Sequence, residues 1–171
     1  MRRDERDAFE RLCREEHANL VRTAWLITGD REEAMDLAQE AFARAYARWR
    51  TVSGLDRPGA WLTRVVVNLA ISWRRRRAVV GRVQLPLTMS APPADEMVTW
   101  ADDPVILALR QLPPAQRTAV VLRYFVDLSV EEAARVLGKR PSTIRALTSQ
   151  AVSRLRATFP ATGLEEAADE L

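Results

Sequence analysis

Apolar residues recur along this chain at spacings of three and four, the period of a helix with one buried face, and no segment alternates as a strand would. Within residues 5–28, Phe9, Leu12, Cys13, Leu20, Val21, Ala24 and Leu26 follow that period and predict a first helix. Gly29 stops it, and Asp30 starts another, lying three residues before Glu33 in capping-box spacing. The second helix is predicted over about 31–49. The Ser, Gly, Asp and Pro residues of 51–59 predict a loop, and a third helix follows over about 60–77. Residues 81–104, GRVQLPLTMSAPPADEMVTWADDP, hold four prolines and no sustained period, which predicts a linker with one short helical turn near Met97. Beyond it, 105–111 begins a helix that Leu112-Pro113-Pro114 stops. Another runs from about Ala115 to Val126, and two more occupy 130–137 and 141–158. The pattern predicts an all-α protein of two small helical domains, 1–80 and 105–160, joined by a flexible linker over 81–104 and followed by a tail over 161–171.

WLTRVVVNLAISWRRRR (61–77) tests that reading, because its branched residues also suit a buried strand. A strand would set Arg64 and Asn68 on one side and leave no outlet for Arg74–Arg77. As a helix, Leu62, Val65, Val66, Leu69 and Trp73 cover one face, and Arg64, Asn68, Ile71 and Arg75 fall on another. The β-branched residues cost only about a few tenths of a kcal/mol each in a helix, which tertiary packing offsets. A membrane-surface helix would spend the apolar face that so short a module needs as its core. The expectation is a helix with a polar, basic reading face.

SVEEAARVLGKRPSTIRALTSQAVSRL (129–155) has the layout of a helix-turn-helix. Ser129 and Glu132 form an S-x-x-E box at the start of its first helix. Ala134 lies where two helices cross closely, Gly138 suits the turn, and Ile144 packs the second helix on the first. Pro141 fits the first position of that second helix, where its missing N–H does no harm. With Ile144, Leu147, Ala151 and Leu155 inward, Ser142, Arg145, Ala146, Ser149 and Gln150 point outward. Arg can bond guanine, Gln can bond adenine and Ala can touch a thymine methyl in the major groove. Ser142, Thr143 and the helix N-terminus can hold phosphates, with Lys139 and Arg140 beside them. The bland counterpart is an αα-hairpin with a solvated polar face.

Charge sharpens the choice. The net of +3 divides into +4 over residues 1–80, −3 over 81–104, +6 over 105–160 and −4 over 161–171. Two basic blocks separated by an acidic segment suit two surfaces for a polyanion. The short acidic end is expected to shield the basic reading helix weakly, so that deleting 161–171 raises affinity for DNA at low salt; unchanged affinity would reject this. One cysteine allows no internal disulfide, and no stretch is apolar for the roughly 18 residues a membrane span needs. The expectation is a cytoplasmic protein without membrane insertion. Cys13 and His17 stand four apart, but the chain has no other Cys or His to complete a metal site. No glycine-rich phosphate loop and no nucleophile with an evident base appear, so no catalytic residue, cofactor or metal is expected.

In the second helix Ala34, Leu37, Ala38, Ala41 and Ala45 form a close-packing face, leaving Asp36, Gln39 and Glu40, and with them Phe42 and Tyr46, more exposed. Such a polar cluster is either a solvated face or a protein docking surface. In the order DLAQEAFARAYARW, AWLTRVVVNLAISWRRRR, linker, LPPAQRTAVVLRYFVDLSVEEAARVLG and helix-turn-helix, the chain resembles the bacterial RNA polymerase sigma factors of the extracytoplasmic-function type, from about Phe9 to Phe159.

The resemblance implies roles. Asp36, Leu37, Gln39 and Glu40, in the family's D-L-x-Q-E segment, would dock on core RNA polymerase. Trp61, Arg64 and Asn68, in its W-L-x-R-x-x-x-N segment, would contact the promoter −10 element, and the loop from Val52 to Gly59 would help hold a flipped base. Arg74 and Arg75, in the arginine run, would meet the phosphate backbone. Arg140, Ser142, Thr143, Arg145, Ala146, Ser149 and Gln150 would engage the −35 element, Arg145 foremost. Leu147, Ser149 and Gln150 stand where the family often has Lys or Arg, so no promoter sequence is carried over. The implied partners are core RNA polymerase, promoter DNA and an anti-sigma factor. The competing readings are a helix-turn-helix regulator acting alone as a dimer, which leaves the 61–77 helix unexplained, and an adaptor whose basic faces bind an acidic protein.

Overall fold

The computed structural model describes residues 3–80, 89–91 and 102–158. The chain divides into two compact units, Met1–Ala101 and Asp102–Leu171. Its described residues are helical, as expected, with no strand among them, and no helix among them is long and apolar enough to cross a membrane.

In the first unit, α1 spans Arg3–Thr28, α2 Arg31–Ala47, α3 Trp49–Val52 and α4 Pro58–Val80. The core is concentrated at the C-terminal end of α1, where Leu20, Val21, Ala24, Trp25 and Leu26 are fully buried. Helices α1, α2 and α4 pack on one another pairwise. Ala34, Ala38, Ala41 and Ala45 give α2 a face without bulk, all at 0–1 % exposure, which lets its neighbours approach closely. Farther along, Phe9 meets Tyr46 and Trp49 edge-on at 5.4 and 5.3 Å between ring centroids. His17 stacks parallel to Phe42, ring centroids 6.4 Å apart.

Gly29 adopts φ 75°, and its N–H donates to the Trp25 carbonyl at 2.8 Å, closing α1. Asp30 caps α2, its Oδ1 accepting the Glu33 N–H at 3.1 Å. The reciprocal half of the predicted box is replaced: the Glu33 carboxylate takes a hydrogen bond from Trp73 on α4 instead. The predicted loop over 51–59 is shorter in the structure. Val52 closes α3 at 1 % exposure, while Pro58 and Gly59 already belong to the first turn of α4. Ser90 donates its N–H to the Gly29 carbonyl at 2.9 Å. The expected turn near Met97, residues 81–88 and 92–101 of the linker and the acidic tail lie outside the described residues, while Pro104, the last linker position, already opens a helix.

In the second unit, α5 spans Pro104–Gln111, α6 Pro114–Val120, α7 Val130–Leu137 and α8 Pro141–Thr158. Asp103 caps α5 by accepting the Val105 N–H at 2.7 Å. The helix predicted over 115–126 changes character part way. Val121–Phe125 form a π-helical turn, with the Val126 N–H reaching the Val121 carbonyl at 3.1 Å. Asp127 then takes φ 55°, a conformation its short polar side chain tolerates, and the chain reverses into α7.

Candidate nucleic-acid interface

Helix α4 turns the opening ambiguity into geometry. Leu62, Val66 and Ala70 are 0 % exposed, with Thr63, Val67 and Ile71 buried beside them. On the opposite side Arg64, Asn68, Ser72 and Arg75 form an exposed row. Ile71, expected on the polar face, belongs to the core at 5 % exposure, because the close approach of α1 and α2 widens the buried arc beyond one apolar stripe. Trp61 is half-buried at the border between the two faces.

A chain of polar contacts fixes the start of this helix. The Arg22 Nη2 donates to Asn19 Oδ1 at 3.2 Å, and Asn19 Nδ2 donates to Glu16 Oε2 at 3.3 Å and to Thr63 Oγ1 at 3.5 Å. Thr63 Oγ1 donates in turn to the Gly59 carbonyl at 3.0 Å. The Glu16 carboxylate lies over Gly59, where a Cβ would run into it. These residues of α1 set the first turn of α4 and hence where Trp61 and Arg64 point. No local signal in the sequence marks them, since Asn19 and Thr63 are 44 positions apart.

The arginine run divides. Arg75, Arg76 and Arg77 are exposed, and the Arg77 guanidinium lies 5.0 Å from the Trp73 ring centroid. Arg74 is half-buried, and burial pushes its guanidinium pKa down. The Trp73 indole is held by Glu33. Burial raises the Glu33 pKa, the Trp73 bond works against this, Asp30 and Asp36 raise it further, and Arg76 lowers it.

On α2, Asp36, Gln39 and Glu40 are exposed. Glu40 Oε1 accepts from Arg44 Nε at 2.8 Å. Leu37 packs inward at 6 % exposure, as the close-packing face predicts, and supports the acidic face from beneath.

In the second unit the helix-turn-helix is assembled by the devices its sequence announces. Ser129 Oγ accepts the Glu132 N–H at 3.1 Å, and Glu132 Oε2 accepts the Ser129 N–H at 2.8 Å. Gly138 adopts φ 63°, and the Lys139 N–H reaches the Ala134 carbonyl at 2.9 Å, closing α7 in a Schellman turn. Ile144 and Ala151 are the residues that α8 buries. Arg140, Ser142, Thr143, Arg145, Ala146, Ser149 and Gln150 are all exposed. Gln150 Oε1 also accepts from Gln116 Nε2 of α6 at 3.1 Å, which positions its amide on the exposed face.

Arg145 Nη2 contacts Glu131 Oε1 on α7 at 3.1 Å. Beside this pair lies an open groove of about 470 Å³, lined among others by Arg123, Tyr124, Arg145, Ser149, Ser153 and Arg156. The π-helical turn brings Arg123 and Tyr124 to that groove, and Arg123 donates to the Leu128 carbonyl. Arg117, counted above only as a charge, is 1 % exposed and donates Nη1 to the Leu112 carbonyl at 3.2 Å. It also reaches the Arg110 carbonyl at 3.5 Å, tying down the end of α5.

Two helical units, each with an exposed basic face, define a DNA-engaging class, and comparison with known proteins resolves it. The family described as Sigma-70 region 2 matches residues 12–79, and Sigma-70, region 4 matches residues 102–155. The RNA polymerase sigma-E factor of Streptomyces coelicolor is 35 % identical over 165 residues, covering 95 % of this chain and 92 % of that protein. The ECF RNA polymerase sigma factor SigL of Mycobacterium tuberculosis is 32 % identical, covering 92 % of each. Among solved structures, the extracytoplasmic function sigma factor SigJ of M. tuberculosis superposes with TM-score 0.54 at 31 % identity, over 86 % of this chain and 53 % of that one. The sigma factor RpoE of Bartonella quintana, solved with the anti-sigma factor NepR, gives TM-score 0.59 at 22 % identity, over 91 % and 98 % of the two chains, a likeness of fold.

The chain belongs to the extracytoplasmic-function sigma factors, which direct core RNA polymerase to promoters. The region 2 match covers the 61–77 helix that a stand-alone helix-turn-helix regulator leaves without a task.

Proposed function

We propose that α4 reads the −10 element with Trp61, Arg64 and Asn68, that Arg74 and Arg75 meet the adjoining phosphates, and that α8 reads the −35 element through Arg145, Ala146 and Ser149. Arg140, Ser142 and Thr143 hold phosphates at the start of α8. Asp36, Gln39 and Glu40 dock on polymerase. The observation that carries this assignment is the exposed Arg64, Asn68, Ser72 and Arg75 row, backed by fully buried Leu62, Val66 and Ala70. A helix so anchored keeps its backbone fixed when DNA arrives.

Two units on one chain raise the effective concentration of the second contact once the first is made. Opening DNA costs about 1.4 kcal/mol of stacking per base-pair step. Phosphate contacts and the capture of an unstacked base offset that cost. The chain supplies no chemistry of its own: it is not an enzyme, and polymerase makes the bonds. It acts in the cytoplasm, with an anti-sigma factor as regulatory partner, as the B. quintana neighbour was solved with one.

The test is transcription by purified core RNA polymerase with this protein on a library of genomic fragments. New start sites sharing two spaced elements are expected. Asn68→Ala is expected to impair strand opening more than initial duplex binding, and unimpaired opening rejects the α4 assignment. Arg145→Ala is expected to cost about 1–3 kcal/mol of discrimination at one −35 base pair.

A further inference from the structure

We propose that Glu131, on the first helix of the helix-turn-helix, aims Arg145 and thereby governs discrimination at the −35 element at the expense of general affinity for DNA. The inference rests on the assignment of Arg145 as a base-reading side chain.

Glu131 and Arg145 come from different helices, 14 positions apart, and meet at 3.1 Å with both side chains 61 % exposed. An ion pair so open adds little to stability. Its consequence lies in where it holds the guanidinium. Both backbones beneath it are fixed. The Ser129–Glu132 box sets the first turn of α7 and occupies Glu132, leaving the Glu131 carboxylate to reach across to α8. Ile144, the residue before Arg145, is 0 % exposed, and the Schellman turn at Gly138 sets the crossing of the two helices.

A guanidinium has five N–H donors, so the Glu131 contact leaves a fork available for a guanine edge. The carboxylate has a second effect. Its negative charge opposes approach of phosphate oxygens, so Arg145 is discouraged from resting on the backbone, where contacts carry no sequence information. Specificity is gained by penalising wrong placements as well as by rewarding the right one. Glu131 is thus a positioning residue, acting through Arg145.

The experiment uses the full chain with core polymerase. A randomised duplex library first yields the preferred −35 sequence; competition then measures affinity for that sequence, for its single-base variants and for unrelated duplex. Glu131→Ala is expected to lower the preference at one base position by about three- to tenfold, a fraction of what a bidentate base contact supplies, while binding to unrelated duplex tightens. Glu131→Gln, which keeps an acceptor, should recover part of the preference. In an Arg145→Ala background, Glu131→Ala should alter affinity for all sequences alike and leave the preference unchanged. Equal tightening on every duplex from Glu131→Ala in the wild-type background would overturn the proposal, reducing Glu131 to a mere repulsive charge. An unaltered base preference in Arg145→Ala alone would instead overturn the reading of Arg145 and the aiming role with it. Melting curves that match wild type exclude a folding defect as the source of either result.

Discussion

Behind the exposed row on α4 stand Leu62, Val66 and Ala70 at 0 % exposure, whereas α8 in the second unit buries only Ile144 and Ala151. The orientation of α4 is set by contacts distant in sequence, with α1 and α2 closing on it from both sides. That of α8 is set by packing on α6 and also by chemistry within a few residues: a capping box and a Schellman turn on α7, and a proline at its own first position. The second unit adds one polar device from its interior, the buried Arg117 that satisfies carbonyls at the end of α5. The first reading surface therefore rests on more apolar area and the second more on hydrogen-bonded joints near in sequence, and substitutions should separate the two.

The largest effect is expected from Arg117→Ala. It removes a long, fully buried stem and leaves the Leu112 carbonyl without that donor, a loss of about 3 kcal/mol or more. Of the five tryptophans, Trp25, Trp49, Trp61 and Trp73 lie in the helices of the first unit, Trp100 falls in the linker segment, and the second unit holds none. In chemical denaturation, helix circular dichroism should thus show an earlier transition while tryptophan fluorescence holds its midpoint. A shift of both signals together would break the comparison, since the two units would then unfold as one.

The converse substitution is Ala41→Leu in α2. Ala41 is 0 % exposed on the alanine face, and added bulk there forces the helices apart, at about 1–3 kcal/mol. Here the fluorescence transition should move and the later part of the dichroism transition should not. Promoter opening should weaken as well, because displacement of α2 disturbs the footing of α4. A well-tolerated leucine would mean the first unit is looser than its burial indicates.

The local joints of the second unit were legible in the sequence because each is written in adjacent letters. Ser129 with Glu132, Gly138 and Pro141 are found in the predicted roles. What escaped the sequence depends on who meets whom across the fold. Nothing in the sequence separates Arg117 from the other positive charges, because the backbone carbonyls it meets carry no residue signature. A single apolar stripe leaves Ile71 on the polar face, while three packed helices bury a wider arc. The contact between Gln150 and Gln116 of α6 joins residues 34 positions apart and has no local signature. The same blindness concealed the Asn19–Thr63 contact and the Glu131–Arg145 pair.

Ser129→Ala should produce a smaller loss, about 1 kcal/mol, by removing the side-chain half of the box. The effect sharpens the contrast between the units because Asp30, the matching cap in the first, makes only one half of such a box. Ser129→Ala should also loosen the first turn of α7, where Glu131 stands. Discrimination at −35 should then decline along with stability. Amide exchange at Glu132, whose N–H the serine accepts, is the direct measurement. Exchange no faster than wild type would show that the cap adds nothing to the turn.

The smallest effect belongs to Glu33→Gln, and its sign can be derived. Burial is the foremost cause that raises the Glu33 carboxyl above its ordinary 4.5, with the Trp73 hydrogen bond opposing and Asp30 and Asp36 reinforcing. The folded state therefore holds that proton more tightly than the unfolded chain. Its contribution to stability is fully present below the unfolded value and is lost as pH rises through the folded one. Glutamine keeps an acceptor for the Trp73 indole and removes the titration. The first unit's midpoint, followed by tryptophan fluorescence, should consequently fall less steeply between acid and neutral pH in the variant. At neutral pH the change should stay within about 0.5 kcal/mol, as for a partly exposed position. An unaltered pH slope would mean that Glu33 titrates normally. The tie between α2 and Trp73 would then be a neutral-cost contact, and the first unit's reading helix would depend on apolar burial and on the Asn19–Thr63–Gly59 contacts.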